Sequence, residues 1–340
     1  MKILVTGGAG FIGTNFILLM LHDYPDVQIT NVDKLTYAGN LENLLPIESQ
    51  PEFSSRYQFV KGDIADSTLI DNLLSEGCDA IVNFAAESHV DRSLEEAGIF
   101  IRTNVWGTQV LLEGARKYSL NRFIQISTDE VYGSLGPEEK FTEDFPLKPN
   151  SPYSASKASA DLLCRAYFQT FHLPVIITRC SNNYGPYQFP EKVIPLFITN
   201  ALENIPLPLY GDGLNIRDWI YVEDHCRAID QVLRKGKVGE IYNIGGGGEK
   251  TNLAITQTIL EKLNKPKTLI TFVKDRPGHD RRYAIAAEKI AHEMGWKPMY
   301  SFEEGIDKTI TWYLNNRSWW EKIKRGEYKS YYQRMYGNRS

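Results

Sequence analysis

Two carboxylates stand side by side in Ser127-Thr128-Asp129-Glu130-Val131-Tyr132-Gly133. They follow an apolar run, Arg122-Phe123-Ile124-Gln125-Ile126, that alternates as a β-strand does. Neighbouring carboxyl groups divide acid and base work when their surroundings push their pKa values apart. A second pair, Tyr153 and Lys157, opens a stretch that begins Ser151-Pro152 and continues to residue 171. Pro152 suits a first helical turn, and a spacing of four puts both side chains on one helical face. A free tyrosine, with a pKa of about 10, is a poor base at neutral pH. A nearby cation favours the phenolate, and a lowering of ~3 units corresponds to about 4 kcal/mol. Such a phenolate could take the proton from a substrate hydroxyl, with Thr128 hydrogen-bonding the same oxygen. Taken alone, the first pair reads as an acidic turn and the second as a solvent-facing helix pair. The elements that position them decide.

The chain begins with a short apolar strand, residues 2–6, then Gly7-Gly8-Ala9-Gly10-Phe11-Ile12-Gly13 and an apolar helical stretch to about residue 22. Gly7, Gly10 and Gly13 allow a tight turn, close backbone approach to a pyrophosphate and close helix–sheet packing. The helix N-terminus then faces the phosphate with unpaired N–H groups. A second strand, 28–32, ends at Asp33, 20 residues past Gly13. An acid there accepts hydrogen bonds from ribose hydroxyls and repels a 2′-phosphate, which favours NAD over NADP. Lys34 beside it weakens that preference. Residues 57–61 form a strand ending in Gly62-Asp63-Ile64, which suits an adenine contact. Residues 66–76 form a helix, and 79–84 a buried strand followed by small residues, Ala85 and Ala86, that let a cofactor lie close. His89 in the next loop reads as a hydrogen-bonding residue rather than a base. With a dinucleotide in place, a cationic nicotinamide ring beside Tyr153 adds to the pull of Lys157 on the phenol.

Strand–helix alternation predicts a parallel, doubly wound Rossmann sheet. Residues 99–118 read as a helix with a narrow polar stripe of Arg102, Gln109, Glu113 and Arg116. Its apolar arc, with Ile101, Val105, Trp106, Val110, Leu111 and Leu112, implies burial on more than one side, between layers of one chain or against a second subunit. The 340 residues are 42% hydrophobic and 24% charged with net charge −4. That balance offers no basic field for nucleic acid or an anionic membrane. Cys78, Cys164, Cys180 and Cys226 form no CxxC pair, which suits reduced thiols in a cytoplasmic protein and no metal site. No signal peptide precedes the first strand, and no apolar run approaches ~18 residues.

Gly7, Gly10, Gly13, Asp33, Asp63-Ile64, Thr128 and Tyr153-xxx-Lys157 together resemble the extended short-chain dehydrogenase/reductases of the nucleotide-sugar branch. Within it, segments 33–41, 85–93, 127–133, 181–187 and 275–283 resemble the 4,6-dehydratases, and the resemblance covers essentially the whole chain. Asp129-Glu130 is its most specific part, because related 4-epimerases lack that pair. The resemblance implies bound NAD and a nucleotide-sugar substrate, dTDP-glucose. It implies Tyr153 as base for the O4 proton, Glu130 as base for C5, Asp129 as acid toward the C6 hydroxyl, and Lys157 as the group that tunes Tyr153 and holds the nicotinamide ribose. Thr128 positions the sugar and Thr103 touches the cofactor. The cofactor set further takes in Phe11, Ile12, Lys34, Leu35, Thr36, Phe84, Ser88 and Asn183. The substrate set is Ser88, Thr128, Asn182, Lys192, Val193, Pro208, Tyr210, Arg217, Asn252, Asp275, Arg276 and His279. Lys192, Arg217 and Arg276 are its candidates for the diphosphate.

In the second half, 172–180 reads as a strand, 191–203 as a short helix inside a Pro/Asn/Tyr-rich insertion, and 223–234 as a helix. Residues 239–244 form a strand, Gly245–Gly248 a flexible loop, and helices lie near 251–263 and 302–315. The expected division is a nucleotide-binding unit of 1–184 with 218–245 and a smaller C-terminal α/β substrate unit of 185–217 with 246–340. The tail, 317–339, interleaves seven Lys/Arg with Trp319, Trp320, Tyr328, Tyr331, Tyr332 and Tyr336. It reads as a terminal helix packed on the substrate unit rather than as a nucleic-acid arm. A homodimer through 99–118 and 152–171 is expected. Two other functions fit the fold: a 4-epimerase or decarboxylase, which needs no Asp129, and an NAD-sensing regulator without turnover, which needs none of the four polar groups.

Overall fold

Short runs rich in Val, Ile and Phe, buried on both faces, build a parallel sheet. The structure is a computed structural model that describes residues 1–326 and Tyr332. Its strands are β1 (Lys2–Thr6), β2 (Gln28–Asp33), β3 (Tyr57–Lys61), β4 (Ala80–Asn83), β5 (Arg122–Thr128), β6 (Val175–Cys180) and Ile241–Ile244. In space they run Ile241–Ile244, β6, β5, β4, β1, β2, β3, and every pairing is parallel. The order reverses between β1 and β4, so a crevice opens there above the strand ends. The expected sheet is thus observed, with β6 starting at Val175 rather than residue 172. Helix α1 (Phe11–Asp23) and the helix Val222–Lys235 cover one face, through Phe16, Met20, Cys226 and Ile229. The helices Ser67–Ser75, Thr108–Lys117 and Pro152–Phe171 cover the other, through Ile70, Leu111 and Cys164.

A second core gathers Tyr184, Phe197, Trp219, Ile255, Ile306 and Trp320. Three two-stranded sheets surround it: Asn182–Tyr184 with Trp219–Tyr221, Ile216–Arg217 with Lys250–Thr251, and Leu207–Tyr210 with Ile270–Val273. The tail helix, Arg317–Arg325, packs here as expected, with Trp319 and Trp320 buried. It also reaches back to the beginning of the chain. Trp319 Nε1 donates to Asn43 Oδ1 at 2.8 Å, and Asn43 Nδ2 donates to Ala9 O, in the first glycine turn, at 2.9 Å. Of the tail aromatics, Tyr328, Tyr331 and Tyr336 lie outside the described residues.

One expected helix is wound differently. Residues 99–118 comprise a short α-helix Ala97–Phe100, a π-helical turn Ile101–Gly107 and an α-helix Thr108–Lys117. Val110, Leu111 and Leu112 are buried, but Ile101 and Trp106 are 51% and 55% exposed. Within this chain the helix is therefore covered on one side only. Among the described residues, no helix is long and apolar enough to cross a membrane, and all four cysteines are free thiols.

Candidate active site

The cavity sits where the sheet order reverses. It measures about 300 Å³ and is walled by the first glycine turn, the ends of β2 to β6 and Gln188, Phe189, Glu191 and Lys192. The glycine turn is tight for steric reasons. Gly7 has φ +70°, and a Cβ there would lie 2.7 Å from the Ala85 backbone; one on Gly13 would lie 2.5 Å from Gly7 O. Both contacts are far inside van der Waals distance, so the chain leaves a cradle that only backbone can line. Asp33 holds the turn from below, its carboxylate accepting from Ala9 N at 2.9 Å and Leu35 N at 2.8 Å. Each oxygen keeps a further lone pair for a ligand hydroxyl. Burial raises the Asp33 pKa and those two N–H donors oppose the rise. Lys34, whose charge weakened the NAD preference, donates to Asp63 Oδ2 at 2.9 Å, and Arg102 reaches the same oxygen at 3.4 Å. Asp63 thus offsets the cations beside Asp33.

Phe11, Ile12, Thr36, Ile64, Phe84, Ala85, Ala86, Ser88, Thr103 and Asn183 all line this cavity, as expected for a cofactor; Leu35 does not. Thr103 comes from the π turn. A pyrophosphate-sized backbone cradle, an acid at the end of β2 and small residues after β4 fit a dinucleotide.

At the far end of the same cavity lie Thr128, Asp129, Glu130, Tyr153 and Lys157. Thr128 ends β5, and its Oγ1 accepts from Glu130 N at 3.3 Å, capping the turn Asp129–Tyr132. Tyr153 is on the first turn of Pro152–Phe171, fixed by a reciprocal cap between Ser151 and Ser154. Asp129 is 2% exposed, and its Oδ2 has no hydrogen-bond partner. Burial pushes its pKa well up, and Glu130 and Asp218 add to that. Glu130 is also raised by burial, but Arg276, Arg217 and Lys192 oppose the rise. The two carboxyls therefore differ in the expected sense, although Glu130 does not keep an ordinary pKa. Tyr153 departs from expectation. Burial, Glu130 and Cys180 raise its phenol well above 10, while Thr128 opposes them. Lys157 Nζ donates to Ile126 O at 2.6 Å, and burial lowers its pKa. The i, i+4 spacing foresaw the shared face but not the desolvation, which favours the neutral form of both groups.

The substrate candidates divide. Ser88, Asn182 and Lys192 line the cavity; Lys192 Nζ donates to Ser88 O at 2.9 Å, and Asn182 Oδ1 is buried without a partner. Val193, Pro208, Tyr210, Arg217, Asn252, Asp275, Arg276 and His279 lie outside its wall. Among them Arg276 is 3.8 Å from Asp91, to which Tyr210 also donates at 3.1 Å. Arg217 is buried over the Tyr283 ring at 4.3 Å, donating to the carbonyls of Ile216 and Asp280. It is a fixed cation near Glu130, not a loose surface arginine. His279 Nδ1 contacts Asp275 at 2.6 Å, and burial lowers its pKa to about 4, so it is a neutral imidazole. His89 is buried and held neutral by burial and by Lys192, Arg92 and Arg276.

Four groups escaped sequence reasoning. Asn104, in the π turn, accepts from Glu87 N and donates to Glu87 O and to Ser156 Oγ, tying the β4 loop to the Tyr153 helix. His225 Nδ1 meets Asn183 Oδ1 at 2.8 Å. Asp218 accepts from Gly246 N and Gly248 N, so the tetraglycine loop is anchored where it was expected to be flexible. Glu191 pairs with Arg92 at 3.2 Å, and Arg92 stacks 3.7 Å over Tyr37. Only Asp218 has a local signal, an ionisable residue that opens the apolar run 219–222; the others depend on distant partners.

A dinucleotide cradle opening onto a buried tyrosine, lysine and two unequal carboxyls defines an α/β enzyme that oxidises and then deprotonates its substrate. The model of the GDP-mannose 4,6 dehydratase family matches residues 4–309, and the chain belongs to that family. It is 52% identical over 345 residues to a dTDP-glucose 4,6-dehydratase of Xanthomonas campestris pv. campestris, covering 96% of this chain and 97% of that one. The crystal structure of a Bacillus anthracis dTDP-glucose 4,6-dehydratase in complex with NAD is 55% identical, with a TM-score of 0.89 over 95% of this chain and 100% of that one. A Streptomyces venezuelae dTDP-glucose 4,6-dehydratase with NAD and dTDP bound is 52% identical, with a TM-score of 0.91 over the same shares.

Proposed function

We propose that the protein is an NAD-dependent hydro-lyase that converts dTDP-glucose to dTDP-4-keto-6-deoxyglucose. The observation that carries this reading is the Asp129-Glu130 pair, the first buried and the second half-buried, in one cavity with Tyr153 and Lys157. An epimerase has no use for the first of those carboxyls. Relatives at about half identity over the full chain share the activity.

NAD would be held by the Gly7–Gly13 turn, Asp33, Asp63-Ile64 and the small residues after β4, and when bound it would supply a reversible two-electron oxidation of the sugar. Tyr153 takes the O4 proton as C4 becomes a ketone. The Lys157 ammonium offsets the burial that otherwise keeps the phenol neutral. The 4-ketone acidifies the C5–H bond, and Glu130 removes that proton. Asp129, protonated, gives its proton to the C6 hydroxyl, which leaves as water. C6 is then reduced and C5 regains a proton, so the reaction ends without net oxidation. Thr128 orients the sugar oxygen, and Lys192, Arg217 and Arg276 form the cationic wall for the diphosphate, with Asn182 and Asn252 beside them. We assign residues 1–184 with 218–245 to the cofactor, and 185–217 with 246–340 to the nucleotide sugar, and we place the protein in the cytoplasm. Incubation with dTDP-glucose should give a product lighter by one water. An isomer of unchanged mass would favour an epimerase, and no turnover a regulator.

We infer further that two copies pair through Ala97–Lys117 and Pro152–Phe171. Ile101 and Trp106 on the first and Leu162 (56% exposed) on the second are large apolar side chains that the fold leaves uncovered. Trp106→Glu with Leu162→Glu should shift the sedimentation coefficient from dimer to monomer; an unchanged value would remove these helices from the interface.

A further inference from the structure

Behind Tyr153 and Lys157 lies a charge pair that the reaction does not touch. Asp161 is one helical turn past Lys157, on the same face of Pro152–Phe171. Its Oδ2 accepts from Arg179 Nε, on β6, at 2.9 Å, and both side chains are at most 3% exposed. The other oxygen, Oδ1, is buried without a hydrogen bond. Arg179 is held in turn over the Tyr132 ring at 4.8 Å. Lys157 Nζ is fixed to Ile126 O, and a carbonyl does not neutralise an ammonium. Around Lys157 stand Tyr153, Asp161 and Cys164 from its own helix, Ser127 from β5 and Cys180 from β6. Asp161 is the one carboxylate whose field acts on the lysine, ahead of the two thiols. Asp129 and Glu130 act on Tyr153 instead.

We propose that Asp161, locked in place by Arg179, is a positioning residue that keeps the buried Lys157 ammonium charged and so lets it support the Tyr153 phenolate. The inference rests on the role given to Lys157 above. A buried ammonium without a counterion loses its proton, because desolvation disfavours the charged form. Arg179 alone cannot help, since its charge has the same sign. Its part is to hold the Asp161 carboxylate ionised against the burial that raises its pKa.

The test is a direct titration of Lys157 by NMR of the full-length protein labelled at lysine Cε, the signal being assigned by its loss in Lys157→Met. In Asp161→Asn the Lys157 titration should move to lower pH by about one unit or more. In single turnovers with NAD and dTDP-glucose, the alkaline limb of C4 oxidation should move the same way, and Asp161→Glu should restore both. Asp161→Asn leaves Arg179 buried and unpaired, so it could fail to fold. The double variant Asp161→Asn, Arg179→Met removes both charges and decides the matter in that case: the same direction of shift is expected, with less amplitude. A Lys157 titration that coincides with wild type in the folded variants overturns the proposal. Wild-type protein that releases no dehydrated sugar would instead overturn the enzymatic reading, and the lysine titration would still report on Asp161.

Discussion

The Asp129→Asn, Glu130→Gln double variant is expected to oxidise dTDP-glucose at C4 yet release almost no dehydrated product. The amide at 129 is far too weak an acid to protonate the leaving hydroxyl, and the amide at 130 cannot take the C5 proton. Each acid–base role contributes ~10²–10⁴-fold, so loss of both should slow water loss by on the order of 10³-fold or more. Oxidation at C4 depends on Tyr153 and Lys157 and should change far less. Two measurements separate the steps: reduced-cofactor absorbance for the first and product mass for the second. A double variant that dehydrates at the wild-type rate would refute both roles. The substitutions are nearly isosteric, and Asp129 Oδ2 has no hydrogen bond to lose, so the fold should survive. A pH signature accompanies the roles. Asp129 works in its protonated form, and burial, Glu130 and Asp218 raise its pKa well above 3.8. Water loss should therefore decline as pH rises through that raised value, and it should also fall at low pH as Glu130, whose pKa burial raises too, takes up the proton that stops it acting as base.

Tyr153→Phe is expected to abolish the first step. The buried ring keeps its shape, and its edge contact with Phe100 at 6.3 Å survives, so stability should change little. Without the hydroxyl, nothing in the cavity takes the O4 proton, and C4 oxidation should fall by at least ~10²-fold. Neither reduced cofactor nor dehydrated sugar should then accumulate. In the wild-type protein the raised phenol pKa has a second consequence. Only the phenolate acts, so C4 oxidation should rise with pH below that pKa. A flat profile for the isolated first step, or a Phe variant that oxidises at the wild-type rate, would assign the base elsewhere.

The sheet was legible because its strands are buried on both faces and read as short apolar runs between turn residues. The glycine turn, Asp33 and the paired positions 129/130 and 153/157 were legible because their chemistry depends on short-range spacing. What spacing cannot carry is dielectric surroundings. Tyr153 was expected to ionise readily beside Lys157, but one helical turn of separation says nothing about how deeply both are buried. The π turn at Ile101–Gly107 was hidden for a related reason. Its residues have ordinary helical patterning, and its winding is fixed by distant partners, with Asn104 gripping Glu87 and Ser156. The cations proposed for the diphosphate were named residue by residue, yet their placement depends on carbonyls and carboxylates far away in sequence. Arg217, bound to Ile216 O and Asp280 O, is the clearest case.

The link from Trp319 through Asn43 to Ala9 joins residues 276 positions apart with their neighbours in the glycine turn. Closing so long a loop costs little more than closing one half as long, so the effect on stability is modest. The effect on the order of assembly is larger. During synthesis the sheet of the nucleotide-binding half can pair as its strands emerge, but Asn43, which braces the outer side of the turn, has no indole to bind until residue 319 has left the ribosome. The first motif in the sequence is therefore among the last to be completed in space. Nascent chains short of residue 319 should carry a turn whose Asn43 brace still lacks its indole partner.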